Sequence, residues 1–95
     1  MYDVEKETLE KLSSTSTLEN FNLIVWNDDV NTFDWVIKAL MDICGHEEHQ
    51  AEQCTLLIHY KGKCTVKTGD FDTLKPMCEA IIDRGINATV EEWVA

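Results

Sequence analysis

Apolar and polar residues follow two different periods along this chain. FNLIVW, residues 21–26, is a short unbroken apolar and β-branched run, the pattern of a buried strand. NDDVN follows as a turn. Beyond it, apolar residues recur at Phe33, Val36, Ile37, Leu40, Met41 and Cys44, the spacing of one buried helix face. Asn31 stands where an N-cap belongs, with Asp34 three residues on, and Gly45 stands where a helix commonly stops. A second helix is predicted from Glu47 to Tyr60. Its inner stripe is Ala51, Cys54, Thr55 and Ile58, with Leu57 beside it and Gly62 as its stop. KCTVKT, residues 63–68, alternates weakly and reads as a strand. Asp72 is the expected cap of a third helix that faces inward through Leu74, Met77, Cys78, Ile81 and Ile82. Pro76 then belongs in or just after the first turn, where a missing N–H costs little. Arg84–Gly85 closes that helix. Ile86, Ala88 and Val90 alternate toward one face of a last strand.

The resulting order is β-α-α-β-α-β. It predicts an α+β fold: a single small domain over residues 20–95, with three helices packed on a three-stranded, mainly antiparallel sheet. Residues 1–19 differ. EKETLEK mixes charges and SSTST reads as a linker, so a flexible N-terminal tail is expected there.

Composition narrows the function. Ninety-five residues, 44% of them hydrophobic, can bury one core and are too apolar for a disordered chain. The formal charge is −10, with eight Lys and Arg against eighteen Asp and Glu. Such a chain repels a phosphate backbone, so no nucleic-acid partner is expected, whereas a cationic amine is welcome. No basic region followed by an apolar run opens the sequence, and no apolar stretch approaches the roughly 20 residues that span a bilayer. A cytoplasmic monomer with no membrane partner is the expectation. Cys44, Cys54, Cys64 and Cys78 lack close C-x-x-C spacing, and three fall at apolar positions, so they read as core thiols.

Motifs for catalysis and metals are weak. In GHEEH, residues 45–49, the two histidines are i, i+3, not the i, i+4 of a zinc protease, and they read as a solvated, charged helix start. Serine occurs only at Ser13, Ser14 and Ser16, and no Gly-rich phosphate loop is present. No catalytic residue, metal or cofactor is expected.

Two features remain, Asn27-Asp28-Asp29 after the first strand and His59 at the end of the second helix. Each alone is an ordinary turn or surface residue. If the first helix packs on the second, both meet beside Phe33, Val36 and Ile58. The result is an apolar hollow with Asn, Asp and His at its rim. A free α-amine has three donors and a charge. Asp29 offers the counter-charge, Asn27 a carbonyl acceptor and neutral His59 a ring nitrogen. An internal amide lacks the charge and two of the three donors, and would leave acceptors unpaired.

The same residues resemble a family. A strand, N-D-D, a helix, then a second helix ending I-H-Y-K-G look like ClpS, the adaptors that deliver N-degron substrates to Clp-class AAA+ unfoldases. The resemblance covers roughly residues 20–91 and is gapless from Asn27 to Gly62; Thr89-Val90-Glu91 is similar to the family's T-L-E. It implies a non-enzymatic adaptor in which Asn27, Asp29 and His59 bind the α-amine of N-terminal Leu, Phe, Tyr or Trp. Asp28 supports the turn, and Phe33, Val36, Thr55, Ile58 and Ile86 line the side-chain pocket. The implied partner is the N-terminal domain of a ClpA- or ClpC-like unfoldase, with Lys75 on the docking face. The family's T-P-M after N-D-D-Y is replaced by Asn31-Thr32-Phe33, so Phe33 holds the place of a gate methionine. Thr55 replaces another methionine, a smaller and more polar wall. The C-G-V-F-T segment is absent, and the third helix looks shortened. The alternative is a small α+β protein-docking domain that does not read free N-termini.

Overall fold

The computed structural model describes residues 20–92. The N-terminal tail reading therefore lies outside the described residues. Three strands, β1 (Phe21–Trp26), β2 (Lys63–Gly69) and β3 (Ala88–Glu92), alternate with three helices, α1 (Phe33–Cys44), α2 (Glu48–Lys61) and α3 (Phe71–Asp83), in the order β-α-α-β-α-β. β1 is the central strand, in the order β2-β1-β3, and both pairings are antiparallel. Leu23, Ile24 and Val25 are all buried, and Leu23 and Val25 face the shared core. Leu23, Val25, Val66 and Ala88 from the sheet share one core with Val36, Ala39, Leu40, Ala51, Ile58, Leu74, Cys78 and Ile81 from the helices.

The stripe of α1 is rotated slightly from the expected one. Val36, Ala39, Leu40 and Cys44 are buried, whereas Phe33 and Met41 at its margins are exposed. Several local expectations change. The N-cap of α1 is Thr32, not Asn31, and the Thr32 hydroxyl accepts from Trp35 N–H at 3.2 Å. Asn31 is committed elsewhere, as described below. The N-cap of α3 is Asp70, not Asp72: the N–H groups of Thr73 and Leu74 both donate to the Asp70 carbonyl. Phe71 is thereby free to pack on Phe21, with ring centroids 5.5 Å apart. Pro76 is consequently the sixth residue of the helix, past the first turn, and leaves the Asp72 carbonyl without its usual helical donor. α2 begins one residue later than expected, with Glu47 as its cap.

His46 is a further correction. It is buried, not solvated, with Nε2 2.7 Å from the Val66 carbonyl. Leu23 pairs with Lys67 and Ile24 with Thr65, so Val66 is the extra residue of a β-bulge, which turns its carbonyl to this ring. A carbonyl cannot donate, so Nε2 carries the proton.

The four cysteines are free thiols. Burial pushes Cys44 up to about 11 and, aided by the neighbouring Cys54 thiol, Cys64 up to about 12. Thiolates are thus disfavoured where these residues pack.

Candidate functional site

The Asn27–Asp29 turn is pinned from both sides by main-chain hydrogen bonds. Trp26 N–H donates to the Asn87 carbonyl and Asn27 N–H to the Gly62 carbonyl, both at 2.9 Å. Gly62 is the left-handed residue that ends α2, φ 95°, a conformation that disfavours side chains with a Cβ. Its own N–H donates back to Ile58. One glycine therefore terminates the helix that carries His59 and holds Asn27 beside it.

The next residues complete the turn. Asp28 Oδ1 accepts from Val30 N–H at 2.9 Å and Asn31 N–H at 3.0 Å, and the Asn31 side-chain amide reaches Oδ1 at 3.1 Å and Oδ2 at 2.9 Å. Partial burial pushes the Asp28 carboxyl up, but the Asn31 and Val30 N–H groups and the Asn31 amide outweigh it and hold it below 3.8. Asp28 is therefore an ionised, internally satisfied carboxylate. Asp29 beside it is exposed.

Asn27, Asp28, Asp29, Phe33, Val36, Thr55, Ile58, His59 and Ile86, all singled out from the sequence, line one pocket of about 260 Å³. Its polarity is graded. Val36, Thr55, Ile58 and Ile86 are each less than a tenth exposed and form the inner wall. Asn27, Asp29 and His59 are exposed at the mouth. Phe33 is 40% exposed and meets His59 edge-on, with centroids 5.3 Å apart; His59 in turn meets Tyr60 at 4.9 Å. Phe33 thus belongs to the rim of the pocket and not to the core. Thr55 is less polar than its type suggests, because its hydroxyl donates to the Ala51 carbonyl at 2.7 Å. That uses its one proton and leaves the wall effectively apolar. Among the described residues no lysine or arginine contributes to the lining, so the fixed charge there is negative. Among the described residues no group of three or more His, Cys, Asp or Glu side chains could hold a metal ion.

Val25, Trp26, Asn31 and Thr32 also line this pocket and were not singled out. Trp26 could have been found as the strand residue abutting Asn27. Asn31 was hidden by its resemblance to a cap. Lys75 lies apart from the pocket, exposed on α3.

The arrangement can do little covalent chemistry. It offers an anionic, acceptor-rich mouth above a closed apolar floor. At about 260 Å³ it is smaller than the roughly 300–1,000 Å³ of pockets that enclose drug-sized ligands, and it suits one side chain.

Among families of known proteins, the model described as "ATP-dependent Clp protease adaptor protein ClpS" matches residues 16–89. The ClpS adapter protein of Corynebacterium aurimucosum is 26% identical over 86 residues, covering 90% of this chain and 78% of that protein. That of Corynebacterium diphtheriae is 25% identical over 89 residues, covering 94% and 78% respectively. Among solved structures, Agrobacterium tumefaciens ClpS2 bound to L-phenylalaninamide shares the fold, with a TM-score of 0.72 over 79% of this chain and 98% of that one, at 18% identity. With a family match running from ahead of β1 into β3, over a β-α-α-β-α-β fold of the same shape, the chain belongs to the ClpS family of ATP-dependent Clp protease adaptor proteins.

Proposed function

We propose that this adaptor recognises proteins by a free N-terminal amine and a bulky apolar first side chain, and hands them to a Clp-class AAA+ unfoldase in the cytoplasm. The observation that carries the reading is the graded pocket, with Asn27, Asp29 and His59 at the mouth and Val36, Thr55, Ile58 and Ile86 beneath. An α-ammonium at the mouth meets one carboxylate, one amide carbonyl and one imidazole nitrogen, a match in charge and donor number. The first side chain then enters the floor and releases water from apolar surface. The related Agrobacterium protein was solved with L-phenylalaninamide, a free amine on an aromatic side chain, which agrees with this chemistry. Lys75, exposed on α3 away from the pocket, is our candidate contact to the unfoldase; engaging ligand and motor on separate surfaces lets both bind at once.

Titration of short peptides that begin with Leu, Phe, Tyr, Trp, Ile or Val tests the reading. It expects Leu- and Phe-first peptides to bind and β-branched first residues to bind more weakly. Equal binding of all of these and of an N-acetylated Leu peptide would favour the docking-domain alternative.

A further inference from the structure

Asn31 does more than its neighbours in the turn. Its side-chain amide has two hydrogens and three acceptors in range: Asp28 Oδ1 at 3.1 Å, Asp28 Oδ2 at 2.9 Å and the Gly85 carbonyl at 2.8 Å. One hydrogen serves Gly85 and the other is shared by the carboxylate. Chemistry fixes the orientation, because the flipped amide would aim its oxygen at three acceptors. Gly85 is itself held rigidly. It is left-handed at φ 83°, its N–H donates to Ile82 at 2.8 Å, and the next N–H, of Ile86, donates to Ile81 at 3.3 Å. This double bond pattern is the Schellman closure of α3. Ile86, the residue after Gly85, is an inner wall of the pocket.

We infer that Asn31 is a specificity-determining positioning residue: it staples the amine-binding turn to the Gly85–Ile86 wall and so sets the width of the pocket. The inference rests on the N-terminal-residue reading above. One side of the staple is an ionised carboxylate that organises Asn27–Asp29; the other is the carbonyl next to the wall that meets the ligand's side chain. Loosening it separates the two, so a ligand that satisfies the mouth no longer fills the floor. Trp35 reinforces the joint one turn away, where its indole N–H donates to the Arg84 carbonyl at 2.9 Å. The staple predicts a particular loss. Discrimination between first residues should fall, because discrimination depends on wall spacing, while the demand for a free amine should survive, because Asp29 and His59 are untouched.

The test compares Asn31→Ala, Asn31→Thr and the wild type for binding of Leu-first, Val-first and acetyl-Leu peptides, with thermal stability recorded alongside. Threonine keeps one donor and can serve only one of the two partners. In Asn31→Ala, Leu-first affinity should fall about tenfold and the Leu-to-Val ratio should shrink several-fold, with acetyl-Leu still rejected. Asn31→Thr should lie between and remains usable should the alanine variant unfold. A merely structural role would lower stability and leave the Leu-to-Val ratio of the folded variants at the wild-type value, and that result overturns the inference. Failure of the wild type itself to prefer a free-amine Leu peptide would overturn the functional reading and this inference with it, a pattern distinct from failure in the variants alone.

Discussion

A histidine stands at each end of α2, and the two have opposite surroundings. His46, just ahead of the helix, is buried, and Nε2 donates to a main-chain carbonyl of the β-bulge. Among the described residues its Nδ1 is buried without a hydrogen-bond partner, and it lies outside the pocket lining. His59, in the last turn, is exposed, stands edge-on to Phe33 and lines a hollow with an apolar floor. Each histidine also lies near a left-handed glycine: Gly45, which ends α1, precedes His46, and Gly62, which ends α2, follows His59. The glycines therefore do not distinguish them. The difference lies in what the chain builds beside each ring: a strand with a bulge fills one space, and the Asn27–Asp29 turn leaves the other open. A polar group already absorbed by the fold contributes to stability, whereas one left unspent above an apolar floor is offered to a ligand.

The contrast can be broken most forcefully at Asp29. Removing a charge partner of a partly desolvated ammonium should cost about 2–4 kcal/mol of peptide binding. Asp29→Ala should therefore nearly abolish Leu-first binding and leave the melting temperature in place, whereas Lys61→Ala, outside the lining, should bind normally. Isothermal titration of both variants measures this.

The histidines come next and should separate stability from binding. His46→Ala removes a buried hydrogen bond and leaves the Val66 carbonyl under-satisfied, a loss of about 1–3 kcal/mol of stability with unchanged peptide affinity in the folded fraction. His59→Ala should do the reverse, with about 1–2 kcal/mol of binding lost and little stability. Denaturant unfolding and peptide titration on the same two samples decide the matter; if both variants lose the same property, the two ends of α2 are not different in kind.

Phe33 sharpens the account of selectivity. It sits at the rim, so Phe33→Ala should leave the fold intact and admit Val- and Ile-first peptides, narrowing their disadvantage against Leu by about 1 kcal/mol. Unfolding of that variant, read by circular dichroism, would return Phe33 to the core.

The smallest effect is acid sensitivity at Asp28. Its carboxyl is held below its ordinary value, so its contribution to stability is fully present above pH 3.8 and is lost as pH falls through the lower folded value. Asp28→Asn should flatten the stability curve below pH 3.8, as measured by thermal melts across that range.

Much of this was legible in the sequence because it rests on local rules. The stripe Val36–Leu40–Cys44, the unbroken run of β1 and the three helix-ending glycines depend on side-chain period and backbone freedom, which the sequence carries directly. The misses share a different origin. Asn31 and Thr32 are both good caps, and so are Asp70 and Asp72; no local rule separates them, and in the structure the Asn31 amide instead bonds the distant Gly85 carbonyl, while Phe71, just after Asp70, packs on the Phe21 ring. His46 looked solvated amid glutamates, and only the bulge at Val66, two elements away, explains its burial. The pocket residues were found because their chemistry and the family resemblance pointed the same way. Trp26 and Asn31 were missed because neither offers a group that a ligand obviously needs.

The central claim is that the mouth reads a free amine while the floor reads the side chain. Direct titration of a Leu-first peptide against the same peptide N-acetylated isolates it, because acetylation removes the charge and two of the three donors and leaves the side chain unchanged. The account predicts measurable binding for the free peptide and at least a hundredfold loss, about 2.7 kcal/mol or more, for the acetylated one. Equal affinity for the two would contradict it.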